Sequence, residues 1–287
     1  MHEWLKDTLS TLALTGAIEG DAWDYNTAVT TPTREFNVTE ILRKDIAVSE
    51  TQRAVNPAGF RDAYAYEIQK AVKELAVKLE RRLFNTNTGT ASATGTSGTA
   101  RVMRNLTEFV LTNTAYAGAV AGAPSAGGAT NAGQLASTDF NDLLNTIYSA
   151  GGNPEQVYVS PKVKRQISNF TVGSENRNIA AVDKRLVSAI DFYDSDFGLI
   201  QIVLDRWVPE GVNTTTATAS ATSTAGQMFF LQRSINRLAW LRPMQHYLVG
   251  KRGDSISGLV VGEVTLEVLN EKANGRMISV NNKSTIT

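Results

Sequence analysis

Apolar residues recur at Phe60, Tyr64, Ile68, Val72, Leu75, Leu79 and Leu83, three or four positions apart without a break, the spacing of one face of an α-helix. Asn56 and Pro57 ahead of them suit an N-cap followed by proline in the first turn. Asp62 and Glu67 fall early in this stretch and Arg81 and Arg82 late, as the helix dipole favours. The spacing predicts a helix over 57–84, about 42 Å long at 1.5 Å per residue. Upstream the period changes to two: Phe36 and Val38 alternate, Ile46 and Val48 alternate, and the polar stretch LRKD (Leu42 to Asp45) lies between them. That pattern predicts a long two-stranded hairpin with its tip at 41–46. Two strands are marginal in water, so such a hairpin has to lie on its own domain or on another chain.

Beyond the long helix, Phe140, Leu143, Leu144, Ile147 and Tyr148 mark a helix over 138–150, stopped by Gly151 and Gly152. A strand at 157–160 and a short helix bearing Val163, Ile167 and Phe170 follow. Strands are predicted at 187–193 and 199–205, joined by the turn DSDFG at 194–198, then at 228–231 and 237–241. After Arg242 and Pro243, alternation at Val264, Leu266 and Val268 and then at Met277, Ile278 and Val280 reads as closing strands. The order of hairpin, long helix, mixed middle and β-rich end is α+β and not a doubly wound sheet. Three tracts poor in charge and large apolar groups, at 85–100, 115–136 and 213–226, cannot build a core and are too long for ordinary connections, so they read as surface loops or as segments ordered by neighbouring copies.

With 287 residues the chain can bury a full core without disulfide or metal staples. The charge is balanced, 28 Lys and Arg against 28 Asp and Glu, so nothing global announces a nucleic-acid or membrane-surface binder. The balance is nevertheless polarised. Residues 1–56 carry five basic and nine acidic side chains, 5 − 9 = −4, and residues 208–287 carry eight and five, 8 − 5 = +3. In a self-associating protein such a split lets the start of one copy meet the end of another. There is no cysteine, which removes disulfide frameworks, thiolate metal sites and cysteine nucleophiles. No apolar run approaches the roughly 18 residues of a membrane span, and the opening residues lack a signal-peptide pattern.

Catalytic equipment is sparse. The two histidines, His2 and His246, supply neither a catalytic constellation nor a metal pair, and His246 reads as structural. No GxSxG elbow and no phosphate-binding GxxxxGK[ST] loop occurs, and Gly89, Gly95 and Gly98 lack the spacing of a dinucleotide fingerprint. Asp191, Asp194 and Asp196 form the densest carboxylate group, in principle a calcium or acid–base site, but a tight turn between strands explains them without an ion. The basic groups Arg43 with Lys44, Lys162 with Lys164 and Arg165, and Lys251 with Arg252 are short and scattered, with no reading helix for base recognition. They allow no more than weak, salt-sensitive contact with a polyanion. The expectation is a protein that is not an enzyme and needs no cofactor or metal.

Several stretches carry a resemblance: VSETQRAVNPAGFRDAYAYEIQKAVKELAVKLERRLF (48–84), RVMRNL (101–106), FYDSDFGLIQIVLDRWVP (192–209), LRP (241–243) and GDSISGLVVGEVTLEVLNEKANG (253–275). In this order and spacing the chain, from about Asp21 to Val280, resembles the major capsid proteins of a family of tailed bacteriophages. The resemblance implies the Hong Kong 97-like capsid fold, an α+β fold with N-terminal arm, E-loop hairpin, long spine helix, P-domain and A-domain. The arm would be 1–20, the E-loop hairpin 21–56, the P-domain 57–110 with its spine helix 57–84, the A-domain approximately 111–245, and 246–287 a return to the P-domain sheet.

It further implies a structural protein of the virion, assembled in the cytoplasm of a bacterial host. Its partners would be many copies of itself as pentamers and hexamers closing an icosahedral head shell, with scaffolding, portal and decoration proteins and packaged double-stranded DNA held without sequence preference; no membrane is involved. Arg34, Glu35, Arg43, Lys44 and Asp45 are the candidate inter-subunit contacts. The nearest rival is an encapsulin-like compartment enclosing enzyme cargo. More distant ones are a hydrolase centred on Asp191, Asp194 and Asp196 and a surface adhesin or fibre subunit, which the Thr-rich loops favour and the long helix disfavours.

Overall fold

The computed structural model describes residues 1–7, 19–20, 31–55, 62–84, 91–117, 135–169, 191–210, 226–251 and 253–280. Strand β1 (His2–Lys6) pairs antiparallel with β2 (Thr33–Asn37). Strand β3 (Glu40–Ser49) leads through a short helix α1 (Glu50–Ala54) to the long helix α2 (Ala63–Leu83), which packs on β3. A one-turn helix α3 (Leu106–Phe109), strand β4 (Thr114–Tyr116), helix α4 (Ser137–Ser149), strand β5 (Gln156–Val159) and helix α5 (Pro161–Asn169) follow. The chain continues through β6 (Phe192–Ser195), β7 (Gly198–Leu204), β8 (Gly226–Leu231), the two longest strands β9 (Asn236–Val249) and β10 (Ser255–Val268), and β11 (Gly275–Val280). Among the described residues no helix is long and apolar enough to cross a membrane.

Besides the β1–β2 pair there are two sheets, one of three strands in the order β3-β10-β9 and one of six in the order β4-β11-β8-β5-β7-β6. Each has its own core. Helix α2 buries Ala63, Ala71, Leu75 and Leu79 against Leu42, Ile46 and Val48 of β3 and Val260 and Val264 of β10. Helices α4 and α5 bury Phe140, Leu143, Leu144, Ile147, Val163 and Ile167 against the six-stranded sheet, where Val157, Ile202, Met228, Phe230 and Met277 point inward. A third cluster joins them: Phe84 just past α2 lies 5.6 Å from the Tyr158 ring and 5.4 Å from that of Phe229, and Trp4, Phe109, Val208 and Leu266 close around it.

The α+β class and the long helix agree with the sequence; its start does not. Asp62 is the N-cap of α2, its carboxylate accepting from the backbone N–H of Tyr64 at 2.9 Å and Ala65 at 3.3 Å, while 56–61, and with them the Asn56–Pro57 cap, lie outside the described residues. The hairpin is corrected. β2 and β3 do not pair with each other: β2 pairs with β1, and β3 runs unbroken through Leu42–Asp45 in antiparallel register with β10. Residues 41–46 are therefore mid-strand and not a tip. The reason is side alternation: Leu42, Ile46 and Val48 are buried on the α2 face, and Lys44, on the same face, meets Glu74 of α2 at 2.9 Å.

The expected stop after Pro243 is also corrected, because β9 continues to Val249. β9 borders the sheet, where a proline leaves no ladder bond unmade, and the register with β10 shifts beside it, around Glu263. The predicted elements at 138–150, 157–160 and 199–205 correspond to α4, β5 and β7. β11 joins the six-stranded sheet, so only β10 of the closing strands returns to the sheet beneath α2. The predicted strand at 187–193 is described only from 191 onward, and Phe170 and residues 85–90, 118–134 and 213–225 of the three low-complexity tracts lie outside the described residues. Of those tracts, Ala93 forms a bridge with Val102 and 115–116 belong to β4.

His246 on β9 holds Tyr64 at the start of α2, Nε2 to Oη 2.8 Å, which pins the helix to the far strand across β10. Gly258 between them leaves the room: a Cβ there would meet the Tyr64 hydroxyl and, at 2.7 Å, His246 Nε2. Gly258→Ala is expected to break this bond and lower stability by about 1–2 kcal/mol. Thermal unfolding of the two proteins checks it; an unchanged melting temperature contradicts it.

Candidate assembly surface

The described residues gather no set of three or more His, Asp or Glu that could hold a metal. Asp191 is taken by Lys164 at 2.6 Å, and Asp194 and Asp196 occupy the end of β6 and the turn into β7. What the structure does present is unsatisfied sheet. β9 is an outer strand of its sheet, and among the described residues no strand pairs along its other side. Fourteen residues of open backbone are a template for another chain unless covered. Along it Leu241 is 64% and Leu248 69% exposed, with Tyr247 and Val249 also open.

Among the described residues no element packs on the sheet face opposite α2 towards the β9–β10 turn. Cross-strand neighbours share a face, so Arg43, Val261 and Gln245 form one row and Asp45, Leu259 and Tyr247 the next. Ile41 and Val249 are exposed on this face. Towards the other end it is covered and stiffened around Glu263, which is 4% exposed. Its carboxylate accepts from the Thr39 hydroxyl at 2.6 Å, from Arg101 at 2.9 Å and from Arg242 Nε at 3.1 Å. Burial alone pushes this carboxyl up. The Thr39 bond and the Arg242 and Arg101 charges outweigh burial and hold it below the ordinary value.

The β1–β2 pair offers a third surface. Trp4 anchors its inner side, donating from Nε1 to the Val268 carbonyl at 3.1 Å, and Asn37 is buried beside it, bonding the Leu266 carbonyl at 2.7 Å. Its outer side leaves Leu5 and Phe36 exposed. The connection between the two strands, residues 7–32, leaves from this pair, and 8–18 and 21–30 of it lie outside the described residues.

The five candidate contact residues do not come together. Arg34 faces Glu3 at 3.4 Å on the outer side of the β1–β2 pair. Glu35, on the inner side, binds Arg104 at 2.7 Å, whose guanidinium lies 4.1 Å over the Phe109 ring. Lys44 binds Glu74, and that hydrogen bond and charge raise its pKa and lower that of Glu74. Only Arg43 and Asp45, 3.5 Å apart and both well exposed, stand on the uncovered face. What the sequence reading missed is the length and exposure of β9, of which it has only 237–241. NRLAWLRPMQHYLV has large apolar groups on both sides of the strand, more than a sheet covered on one face can bury, and that excess was the available signal.

β9 carries Arg237 and Arg242 and no acidic residue, whereas residues 1–30 carry Glu3, Asp7, Glu19, Asp21 and Asp24 against Lys6 alone. The polarity of the chain thus sets a basic, apolar strand edge against an acidic beginning.

Comparison with known proteins agrees with a surface built for other copies. The family model for the SU10 major capsid protein matches residues 1–281. No curated protein matches the chain. Among solved structures the chain is similar to the holo-SrpI encapsulin complex from Synechococcus elongatus PCC 7942, with TM-score 0.57 and 12% identity over 90% of this chain and 79% of that one. It is similar to a structure from Gordonia phage Cozz, with TM-score 0.55 and 14% identity over 96% and 79%. It is also similar to the capsid structure of the cyanophage P-SCSP1u, with TM-score 0.51 and 14% identity over 97% and 82%. At these identities the likeness establishes the fold.

Proposed function

The chain belongs to the SU10 major capsid protein family and has the Hong Kong 97-like capsid fold shared by phage capsids and encapsulins, and from this we propose how it builds a shell. It is a major capsid protein of the tailed-phage type. Copies associate head to tail into pentamers and hexamers, and these close an icosahedral head around double-stranded DNA. The observation that carries this reading is the open β9 edge with the uncovered sheet face behind it, which a soluble monomer would have to blunt.

The basic β9 edge of one copy receives the acidic beginning of the next, in place of a contact through the 41–46 segment. Arg43 and Asp45 add polar contacts on the bare face. Exposed ion pairs contribute only about 0–1 kcal/mol each, so each contact is weak enough for a misplaced subunit to leave. The closed shell gains strength because every copy holds several neighbours. Scaffolding and portal proteins direct closure and DNA entry in the host cytoplasm.

Light scattering with electron microscopy of the purified protein tests this: closed particles tens of nanometres across are expected. Leu241→Asp with Leu248→Asp should leave a folded subunit that forms none. Normal shells from that variant would sink the role given to β9. The encapsulin likeness supplies a second reading, an enzyme-holding compartment, and the contents decide: packaged DNA supports the head, a copurifying enzyme the compartment.

A further inference from the structure

A cleft of about 550 Å³ on α2 is lined by Lys70, Lys73, Glu74, Val77, Lys78, Arg81 and Arg82. Five of these side chains are cationic and one is anionic, in a protein whose overall charge is zero. Spaced three and four apart, Lys70, Lys73, Val77 and Arg81 form a stripe away from the buried Ala71, Leu75 and Leu79, with Glu74 and Lys78 beside it, whereas Arg82 turns inward to Glu40. From Lys70 to Arg81 the stripe runs about 17 Å at 1.5 Å per residue.

The cations are incompletely neutralised by their own chain. Lys70 reaches Glu67 only at 3.6 Å, Glu74 is taken by Lys44, and Arg82 Nε binds Glu40 at 3.0 Å. Lys73 and Lys78 have no carboxylate partner among the described residues. Arg81 lies 5.3 Å over the Trp207 ring, and its Nε, like Nη1 of Arg82, is closed off from solvent and so from any external anion. The exposed lysines, Lys73 and Lys78 above all, are therefore the cations left to meet an external anion.

We propose that this basic face of α2 binds the phosphate backbone of double-stranded DNA, and so is turned towards the interior of the shell. The inference rests on the capsid reading for the presence of DNA. A linear row suits a polyanion better than a small anion, which needs donors converging on one point. About 17 Å of duplex axis presents roughly ten phosphate charges, one per about 1.7 Å. Lysine and arginine in a row on a helix face contact phosphates without reading base edges, so binding is independent of sequence. A few contacts per copy hold DNA weakly, which lets it leave, while many copies order its outermost layer.

The test is fluorescence anisotropy of full-length, unassembled protein with a random-sequence DNA duplex between 50 and 200 mM salt. Log affinity should fall linearly with log salt, with a slope of about −0.9 per phosphate neutralised. Lys73→Glu with Lys78→Glu should reduce the slope by about 2 and the affinity at 100 mM salt by at least tenfold. Arg165→Glu with Lys272→Glu, an equal charge change elsewhere on the exposed surface, should alter the slope by less than half a unit. Lys73→Gln with Lys78→Gln is the second variant should the reversal disturb folding, and it should lower the slope in the same direction. An undiminished slope in both stripe variants, or no DNA binding by the parent, overturns the proposal. Electron microscopy separates this from the capsid reading: shells formed by the stripe variants leave that reading intact whatever the DNA result.

Discussion

Arg101→Ala combined with Arg242→Ala is expected to destabilise the subunit by about 3–5 kcal/mol, more than Glu263→Gln, which removes the charge that the two arginines neutralise. The asymmetry follows from who is buried. The Glu263 side chain is 5% exposed, whereas those of Arg101 and Arg242 are 36% and 53% exposed. Without the arginines a carboxylate is left away from water with only the Thr39 hydroxyl, and an uncompensated buried charge costs about 3–5 kcal/mol. Without the carboxylate, both guanidiniums still reach solvent, and the loss is that of a few hydrogen bonds, about 1–2 kcal/mol. The triple variant adding Glu263→Gln should then recover stability relative to the double, because the three side chains form one network and their effects do not add. Urea unfolding of the unassembled subunits measures all three, and a double variant no worse than Glu263→Gln contradicts the account.

This network matters for assembly because of what it joins. Thr39 ends the link between β2 and β3, Arg101 belongs to the segment before α3, Arg242 sits on β9 and Glu263 on β10. Glu40, one residue on from Thr39, meets Arg82 of α2 at 3.0 Å and is itself buried. Glu263 thus ties the open edge strand β9, through Arg242, to the middle of its sheet, and Glu40 ties the opposite edge, β3, to α2. An edge that wandered would lose the register on which a neighbouring copy depends.

What was legible in the sequence was local. The stripe from Tyr64 to Leu83 announced α2, whose N-cap is Asp62, with two side-chain bonds to backbone N–H groups that the apolar spacing does not mark. The turn at 194–198 joins β6 and β7 as its residues require. What was illegible depended on partners far along the chain. LRKD looked like a tip because its charges suggested water, yet Lys44 is matched by Glu74 on α2 and Leu42 is fully buried. Two more of the candidate contact residues, Arg34 and Glu35, meet partners 31 and 69 positions away, distances that no local pattern reveals. β9 was read too short because proline ends most strands, and only its place at the edge of the sheet permits Pro243.

Subunit stability is expected to fall as pH rises from about 4.5 to about 7, and Glu80→Gln is expected to abolish most of that fall. Glu80, near the end of α2, is raised from 4.5 to about 7, first by burial and then by the charge of Asp205 and a hydrogen bond to it. Asp205, after β7, is 7% exposed and accepts from the backbone N–H of Trp207 at 2.7 Å. Tyr158 on β5 feels the same pair, its hydroxyl pushed up by burial and by Asp205, with Arg233 opposing. A carboxyl whose pKa is raised on folding binds its proton more tightly in the native state, so the native state is favoured below the unfolded value and loses that advantage up to the folded one.

The difference corresponds to at most about 3 kcal/mol at 1.36 kcal/mol per unit. Glu80 also borders the groove between α2 and Trp240, Pro243 and Met244, and solvent screening there reduces the effect to about 1–2 kcal/mol. Glu263 acts in the opposite sense: its lowered pKa gives a contribution that disappears as pH falls below about 4.5. The two carboxyls together place the most stable condition on the acid side of neutrality. Ionising Glu80 sets two negative charges against each other where α2 meets the six-stranded sheet, so neutral pH loosens the junction between the two cores. Urea midpoints at pH 4.5, 5.5, 6.5 and 7.5 should decline for the parent and stay nearly level for Glu80→Gln, which keeps the hydrogen bond to Asp205 without the proton. A decline of equal slope in both proteins would remove Glu80 as its cause.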